Sequence, residues 1–93
     1  MTINEGMRAK LTSALAPTRL EIIDESHRHA GHVGAQPEGE THFSMTVVSA
    51  AFSGLSRVAR QRLIYQLLAD ELAGPVHALS VSTLTPEEDQ NGR

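Results

Sequence analysis

The sequence predicts a small mixed α/β domain with the element order helix, strand, strand, helix, strand. Three observations predict it: apolar residues recur every three or four positions in two segments, they alternate with polar residues in three others, and Gly or Pro separates the segments. The chain has 93 residues, of which 40% are hydrophobic, so one domain with one core is expected. Two directly joined strands favour an antiparallel pair, and a helical connection favours a parallel pair.

The first half of the chain supplies a helix and a strand. The helix is predicted over 3–16, with Asn4 as its N-cap and Pro17 as its stop, because its apolar residues share one face. The strand is predicted over 19–25, where apolar residues alternate with charged ones. Leu20 and Ile22 are expected to share one face of this strand, and Glu21 and Ile23 the other.

The second half supplies the remaining elements. A second strand is predicted over 42–49, followed by a helix that Ser56 caps and that runs to Ala73. A third strand is expected over 76–84. In the second strand one face is expected to carry Phe43, Met45 and Val47, and in the third strand the face that carries His77 is expected to carry Leu79 and Val81 as well. The helix residues expected to be buried are Leu63, Ile64, Leu67, Leu68 and Leu72. The domain is expected to span 1–87, with 88–93 as a polar tail; fraying is expected from Thr85 onwards.

Five histidines in a chain without cysteine are the most informative feature for function. Three of them, His27, His29 and His32, lie in a long Gly-containing segment between the first two strands. In the predicted topology, the end of the first strand and the starts of the other two lie at one end of the sheet. We therefore expect that segment, His42 and His77 to cluster there.

The chemistry of such a cluster has several interpretations. Neutral imidazole is a common metal ligand, but no thiolate site is available and no His-Glu-x-x-His zinc motif occurs. Histidines without cysteine can form half of a site that a partner completes, and mixed His/Cys ligation of a 2Fe–2S centre has a precedent in Rieske-type sites. The alternatives are solvent-exposed loop histidines, and a His77 that is bonded to a backbone carbonyl.

Other functional classes receive less support from the sequence. The net charge of −3 predicts no general attraction to nucleic acid, although Arg57, Arg60 and Arg62 form a basic segment that can be a solvated helix face or a phosphate contact. No Gly-x-Ser-x-Gly elbow or phosphate-binding glycine loop occurs, so we expect no enzyme activity. No apolar run predicts a membrane span and no signal peptide is evident, so the expected location is the cytoplasm.

Several motifs in order resemble the BolA family. They include 20–26 (LEIIDES), 29–32 (HAGH), 40–43 (ETHF), 47–54 (VVSAAFSG) and 75–79 (PVHAL). The resemblance covers nearly the whole chain. It implies a fold like the class II KH domain, with a three-stranded mixed sheet and helices packed on one face.

The resemblance also implies a function and a ligand set. Members of this family associate with monothiol glutaredoxins and share a bridging 2Fe–2S cluster with the glutaredoxin and its glutathione, in iron–sulfur trafficking or iron sensing. The downstream cluster ligand corresponds to His77, and the loop ligand corresponds best to His29, with His27 and His32 as rivals. Alone, the chain is expected to be a monomer or a weak homodimer.

A DNA-binding role is the alternative that the resemblance carries. Some bacterial members are described as DNA-binding regulators of cell shape and stress response, and Arg57, Arg60 and Arg62 are the candidate contacts here. The sequence departs from the family at Gln61, where an Arg-His-Arg motif is common. It also lacks the Gly-x-x-Gly loop that KH domains use on nucleic acid.

Overall fold

A three-stranded sheet with helices against one face forms the structure. The computed structural model describes residues 2–25 and 42–91. Its elements in chain order are α1 (Ile3–Leu15), β1 (Arg19–Asp24), β2 (His42–Val48), a 3₁₀ turn (Ala50–Phe52), α2 (Arg57–Leu67), α3 (Ala69–Ala73), β3 (Ala78–Leu84) and α4 (Pro86–Asn91). The predicted mixed α/β class is confirmed, and so is the predicted order helix, strand, strand, helix, strand, in which α2 and α3 together take the place of the predicted second helix.

The strand order is β1-β2-β3, with β2 in the centre. β1 pairs with β2 antiparallel, and β2 pairs with β3 parallel, as the two kinds of connection predict. Along β2 the burial alternates, so that Phe43, Met45 and Val47 face the core. A shift of one residue would turn these side chains to the other face, so the alternation fixes the register.

The core lies between this face of the sheet and the helices α1 and α2. Its fully buried side chains include Met7 and Leu11 of α1, Ile64 of α2 and Phe52 of the 3₁₀ turn. Partly buried side chains pack against this cluster, from the shared strand faces that were predicted and from the predicted buried face of the helix: Leu20, Ile22, Leu63, Leu67, Leu72, Leu79 and Val81. The sequence periodicity therefore identified the core correctly.

The helix boundaries differ from the prediction in two places. Thr2, and not Asn4, caps α1: its hydroxyl accepts a hydrogen bond from the Glu5 amide at 3.1 Å, and the Glu5 carboxylate accepts one from the Thr2 amide at 2.8 Å. This reciprocal capping box pairs two amides that the first helical turn leaves without partners. The predicted helix to Ala73 is interrupted at Leu68, so that α2 and α3 are separate.

The C-terminal segment is ordered where fraying was predicted. Residues 86–91 form the helix α4, and a second capping box begins it. The Glu88 carboxylate accepts a hydrogen bond from the Thr85 amide at 2.8 Å, and the Thr85 hydroxyl accepts one from the Glu88 amide at 3.2 Å. The prediction of a frayed tail is wrong for these residues because the Thr-x-x-Glu pattern starts a helix.

Candidate metal centre

The strand register brings three chain positions together at one end of the sheet. The Glu25 amide, just after β1, donates to the carbonyl of His42 at 2.8 Å. His42 begins β2 and is the register partner of Ala78, which begins β3. The predicted convergence of the end of β1 with the starts of β2 and β3 is confirmed.

Two histidines lie side by side at this end. The ring centroids of His42 and His77 are 6.4 Å apart, and the ring planes are inclined by 42°. His42 is half-buried and His77 is exposed. The two imidazoles are thus close enough to act on one bound group, and His77 is open to a partner.

The position of His77 is fixed although it lies outside the strand that was predicted to contain it. β3 begins at Ala78 and not at Val76, so His77 is the residue before the first sheet pair. The preceding residue, Val76, is buried in the core, and its amide donates to the carbonyl of Glu71 at 3.0 Å. His77 is therefore held between a buried side chain and a paired strand residue.

The donor set found at this end is incomplete for a metal. Within residues 2–25 and 42–91, no three His, Asp or Glu side chains stand close enough to hold an ion together. His27, His29 and His32 lie outside the described residues, so their predicted contribution stays a prediction. The two imidazoles fit a metal as part of a ligand set, because nitrogen donors suit iron and zinc, and further ligands must come from elsewhere.

The basic segment of α2 does not form the predicted surface of three arginines. Arg57 and Arg62 are exposed, but Arg60 is only 6% exposed and points into the structure. Its guanidinium binds the carboxylate of Glu88 with N···O distances of 2.6 and 3.3 Å, and it donates to the carbonyls of Leu55 and Thr83. Arg60 is therefore a structural residue, and it is not available to a phosphate.

Comparison with known proteins identifies the family. The family model described as BolA-like protein matches residues 11–88. The chain belongs to the BolA-like family. The resemblance that the sequence motifs indicated is thereby confirmed.

Solved BolA structures share the fold described above. The BolA domain of SufE1 from Arabidopsis thaliana has a TM-score of 0.82 and 47% identity, over 95% of this chain and 98% of that one. BolA1 from the same plant has a TM-score of 0.85 and 43% identity, over 95% and 96% of the two chains. This BolA-like chain therefore has the predicted fold class.

Curated relatives differ in how much of their length the BolA-like chain spans. It covers 96% of the uncharacterized protein in the cobS 5′ region of Sinorhizobium sp, with 47% identity over 95% of this chain. It covers 60% of BolA-like protein 1 from Pongo abelii, with 48% identity over 92% of this chain. It covers only 23% of SufE-like protein 1 from Arabidopsis thaliana, with 50% identity over 88% of this chain.

The end of the BolA-like sheet opposite His77 carries ion pairs. Arg60 of α2 and Arg19 of β1 bind Glu88 and Asp89 of α4, respectively, which ties this helix to two other elements. The Arg60 hydrogen bond, followed by the bond from the Thr85 amide, lowers the pKa of the Glu88 carboxyl to about 2. Sequence analysis missed this cluster, although the Thr85-x-x-Glu88 pattern was a local signal for it.

The pKa of Glu88 predicts how acid affects this BolA-like fold. Because the pKa is lower in the folded chain than the ordinary 4.5, the ionised carboxylate stabilises the fold above about pH 4.5, and this contribution is lost as the pH falls towards about 2. Glu88→Gln is expected to lower the denaturation midpoint at neutral pH, and its difference from wild type should shrink below pH 4.5. Urea unfolding across this range measures it. The neighbouring Glu87→Gln is the control; an equal loss in both variants contradicts the assignment.

The described helices were also searched for a membrane span. None of those within residues 2–25 and 42–91 combines the length and the apolar character that crossing a bilayer requires.

Proposed function

We propose that this BolA-like domain is a small adaptor that binds a monothiol glutaredoxin and ligates a 2Fe–2S cluster together with the glutaredoxin and its glutathione. The role belongs to iron–sulfur trafficking or iron sensing in the cytoplasm, and the domain catalyses no reaction of its own. The observation that carries the proposal is the exposed imidazole of His77, at the end of the sheet where the end of β1 meets the starts of β2 and β3.

Family membership supports the same proposal. The resemblance of the sequence motifs implies association with iron–sulfur clusters, and a BolA domain also occurs in SufE1 of Arabidopsis thaliana. A donor set that lacks thiolates and is incomplete among the described residues needs ligands from a second protein. A glutaredoxin with a cysteine and bound glutathione supplies sulfur donors, which suit iron.

We assign His77 as the downstream ligand and His29 as the loop ligand, with His27 and His32 as rivals. The exposed, positioned ring of His77 supports the first assignment. The second rests on the family motif: His29 lies four residues after Glu25, which ends the described part of the chain next to His42. The neighbouring His42 ring can either orient the His77 ring or compete with it as a ligand of the cluster.

His77→Ala is expected to lower formation of the mixed cluster complex by about tenfold or more, because loss of even an outer-shell group typically costs about 10–100-fold in metal affinity. The measurement is visible circular dichroism of the chain titrated into a cluster-loaded monothiol glutaredoxin. His32→Ala is expected to change the spectrum less, because the position of His77 is fixed by the buried residue before it and the paired strand residue after it.

Two controls make this experiment specific. Gln66→Ala replaces an exposed side chain on α2 and should leave both the spectrum and the fold unchanged. His42→Ala tests whether the neighbouring ring is itself required. A spectrum unaffected by His77→Ala, in a variant with the wild-type thermal midpoint, would remove His77 from the site.

A further inference from the structure

The outer edge of β3 is capped by side chains of α2. Gln61 Nε2 donates to the carbonyl of Val81 at 2.8 Å, and Arg60 Nη1 donates to the carbonyl of Thr83 at 3.3 Å. On the other outer strand, Arg8 of α1 donates to a carbonyl of β1 in the same way, at 3.3 Å. An edge strand presents unpaired backbone groups to any other strand, and these caps occupy some of them.

The hydrogen bonds show which residues of β3 face outwards. The carbonyl of Leu84 accepts from the Ser49 amide at 2.9 Å, on the side of β2. The N–H and C=O groups of one strand residue point to the same side, and successive residues alternate. Leu79, Val81 and Thr83 therefore direct their backbone groups away from the sheet, which agrees with the caps on the latter two.

The capping stops at Leu79. Within residues 2–25 and 42–91, no side chain donates to its carbonyl, and the residues on both sides of it, Ala78 and Ser80, are exposed. Leu79 is two residues from His77, which corresponds to about 6.6 Å along an extended chain. The uncapped part of the edge thus lies next to the candidate ligand.

We propose that the β3 edge at Leu79 is a docking site for an extended segment of the partner that completes the metal site. The backbone of that segment pairs with the N–H and C=O groups of Leu79, as in other cases of strand addition to a sheet edge. The inference rests on the proposed function, because the occupant is the glutaredoxin that ligates the cluster at His77. Strand pairing two residues away would hold the partner's donors in reach of that imidazole.

Amide hydrogen exchange of the isotopically labelled chain, with and without cluster-loaded monothiol glutaredoxin, tests this inference. The Leu79 amide is expected to exchange at least about tenfold more slowly in the complex, because it gains a hydrogen bond that takes it out of solvent. The carbonyls of Val81 and Thr83 already accept hydrogen bonds from α2, so the edge is not open to another strand there. The exchange rates of these two amides are therefore expected to change little.

A pair of variants tests the same point without relying on exchange. Leu79→Pro removes an outward N–H group, a loss that an edge strand tolerates. Val81→Pro removes the outward N–H of a residue whose carbonyl already binds Gln61, and the two variants lose side chains of similar burial. Leu79→Pro is expected to weaken glutaredoxin binding about tenfold more than Val81→Pro, which is the scale of one lost hydrogen bond.

The outcomes separate this inference from the proposed function. If the mixed cluster forms and depends on His77, but Leu79 exchange is unchanged, docking at this edge is wrong and the adaptor function stands. Slower exchange of the Ile22 amide on β1, with no change at Leu79, would also overturn docking at the β3 edge. Protection of Leu79 that rises with the concentration of the chain alone identifies a second copy as the occupant. Absence of any complex overturns both proposals.

Discussion

Arg60→Ala is expected to lower the thermal midpoint of the chain by about 10–20 °C. The Arg60 guanidinium is buried and donates to the carbonyl of Thr83 in a buried hydrogen bond and to that of Leu55 in a partly buried one. A buried carbonyl left without a donor costs about 1–3 kcal/mol, and a domain of this size loses about 4–8 °C per kcal/mol. The variant also removes the guanidinium that binds Glu88, so α4 should detach more readily.

Arg62→Ala is the matched control because it removes the same kind of side chain from the same helix at an exposed position. Its effect on stability is expected to stay within about 0.5 kcal/mol. Differential scanning calorimetry of both variants decides the point. Similar midpoints for the two variants would mean that the interior contacts of Arg60 contribute little.

This contrast matters for the DNA-binding alternative. Loss of DNA binding in an Arg60 variant would not separate a phosphate contact from an unfolded helix. The exposed residues Arg57 and Arg62 are the ones to neutralise, since a true phosphate contact must be accessible and must reduce the salt dependence of binding. The buried position of Arg60 leaves two arginines, in a chain of net charge −3, for that role.

Mild acidification is expected to abolish the mixed cluster complex while the chain stays folded. Imidazole must be neutral to ligate a metal, so protons compete with the cluster for the histidine ligands as the solution is acidified. The ionised form of Glu88, by contrast, continues to support the fold until the pH falls below about 4.5. Above about pH 4.5, where the chain stays folded, the cluster that the histidines release is expected to remain with glutaredoxin alone, because the metal keeps the cysteine thiolates deprotonated.

The measurement follows the visible spectrum of the complex and the far-ultraviolet circular dichroism of the chain in one pH titration. His29→Cys is expected to shift loss of the mixed complex to lower pH, because a thiolate replaces a protonatable imidazole. Identical profiles for wild type and His29→Cys would assign the loop ligand to His27, His32 or a carboxylate. Simultaneous loss of both signals would show that unfolding, and not ligand protonation, releases the cluster.

The topology and the core could be predicted from local patterns. Alternation placed Phe43, Met45 and Val47 inwards, and connection type gave the strand directions. These features depend on residues near one another in sequence, or on general rules of chain connection. Convergence of His42 and His77 followed from the same rules, because it needs only the strand order and directions.

The role of Arg60 could not be predicted in the same way. A charged residue near the start of an amphipathic helix is typical of a solvated surface, and its partner Glu88 lies 28 positions away. Only the packing of α4 against the rest of the chain makes that contact possible. The loop ligand is a different case. Its identity depends on residues 26–41, which lie outside the described ranges, so the assignment of His29 stays a prediction.

The register of the central strand has an evolutionary consequence. Because the core side chains of β2 fix its alignment with β1 and β3, the distance between His42 and His77 does not depend on how many residues join β1 to β2. The entropic cost of closing a chain connection grows slowly with its length, by about 0.6 kcal/mol for each doubling. Related sequences can therefore differ in the length and residues of that connection, and so in the loop ligand, while the position of His77 stays the same.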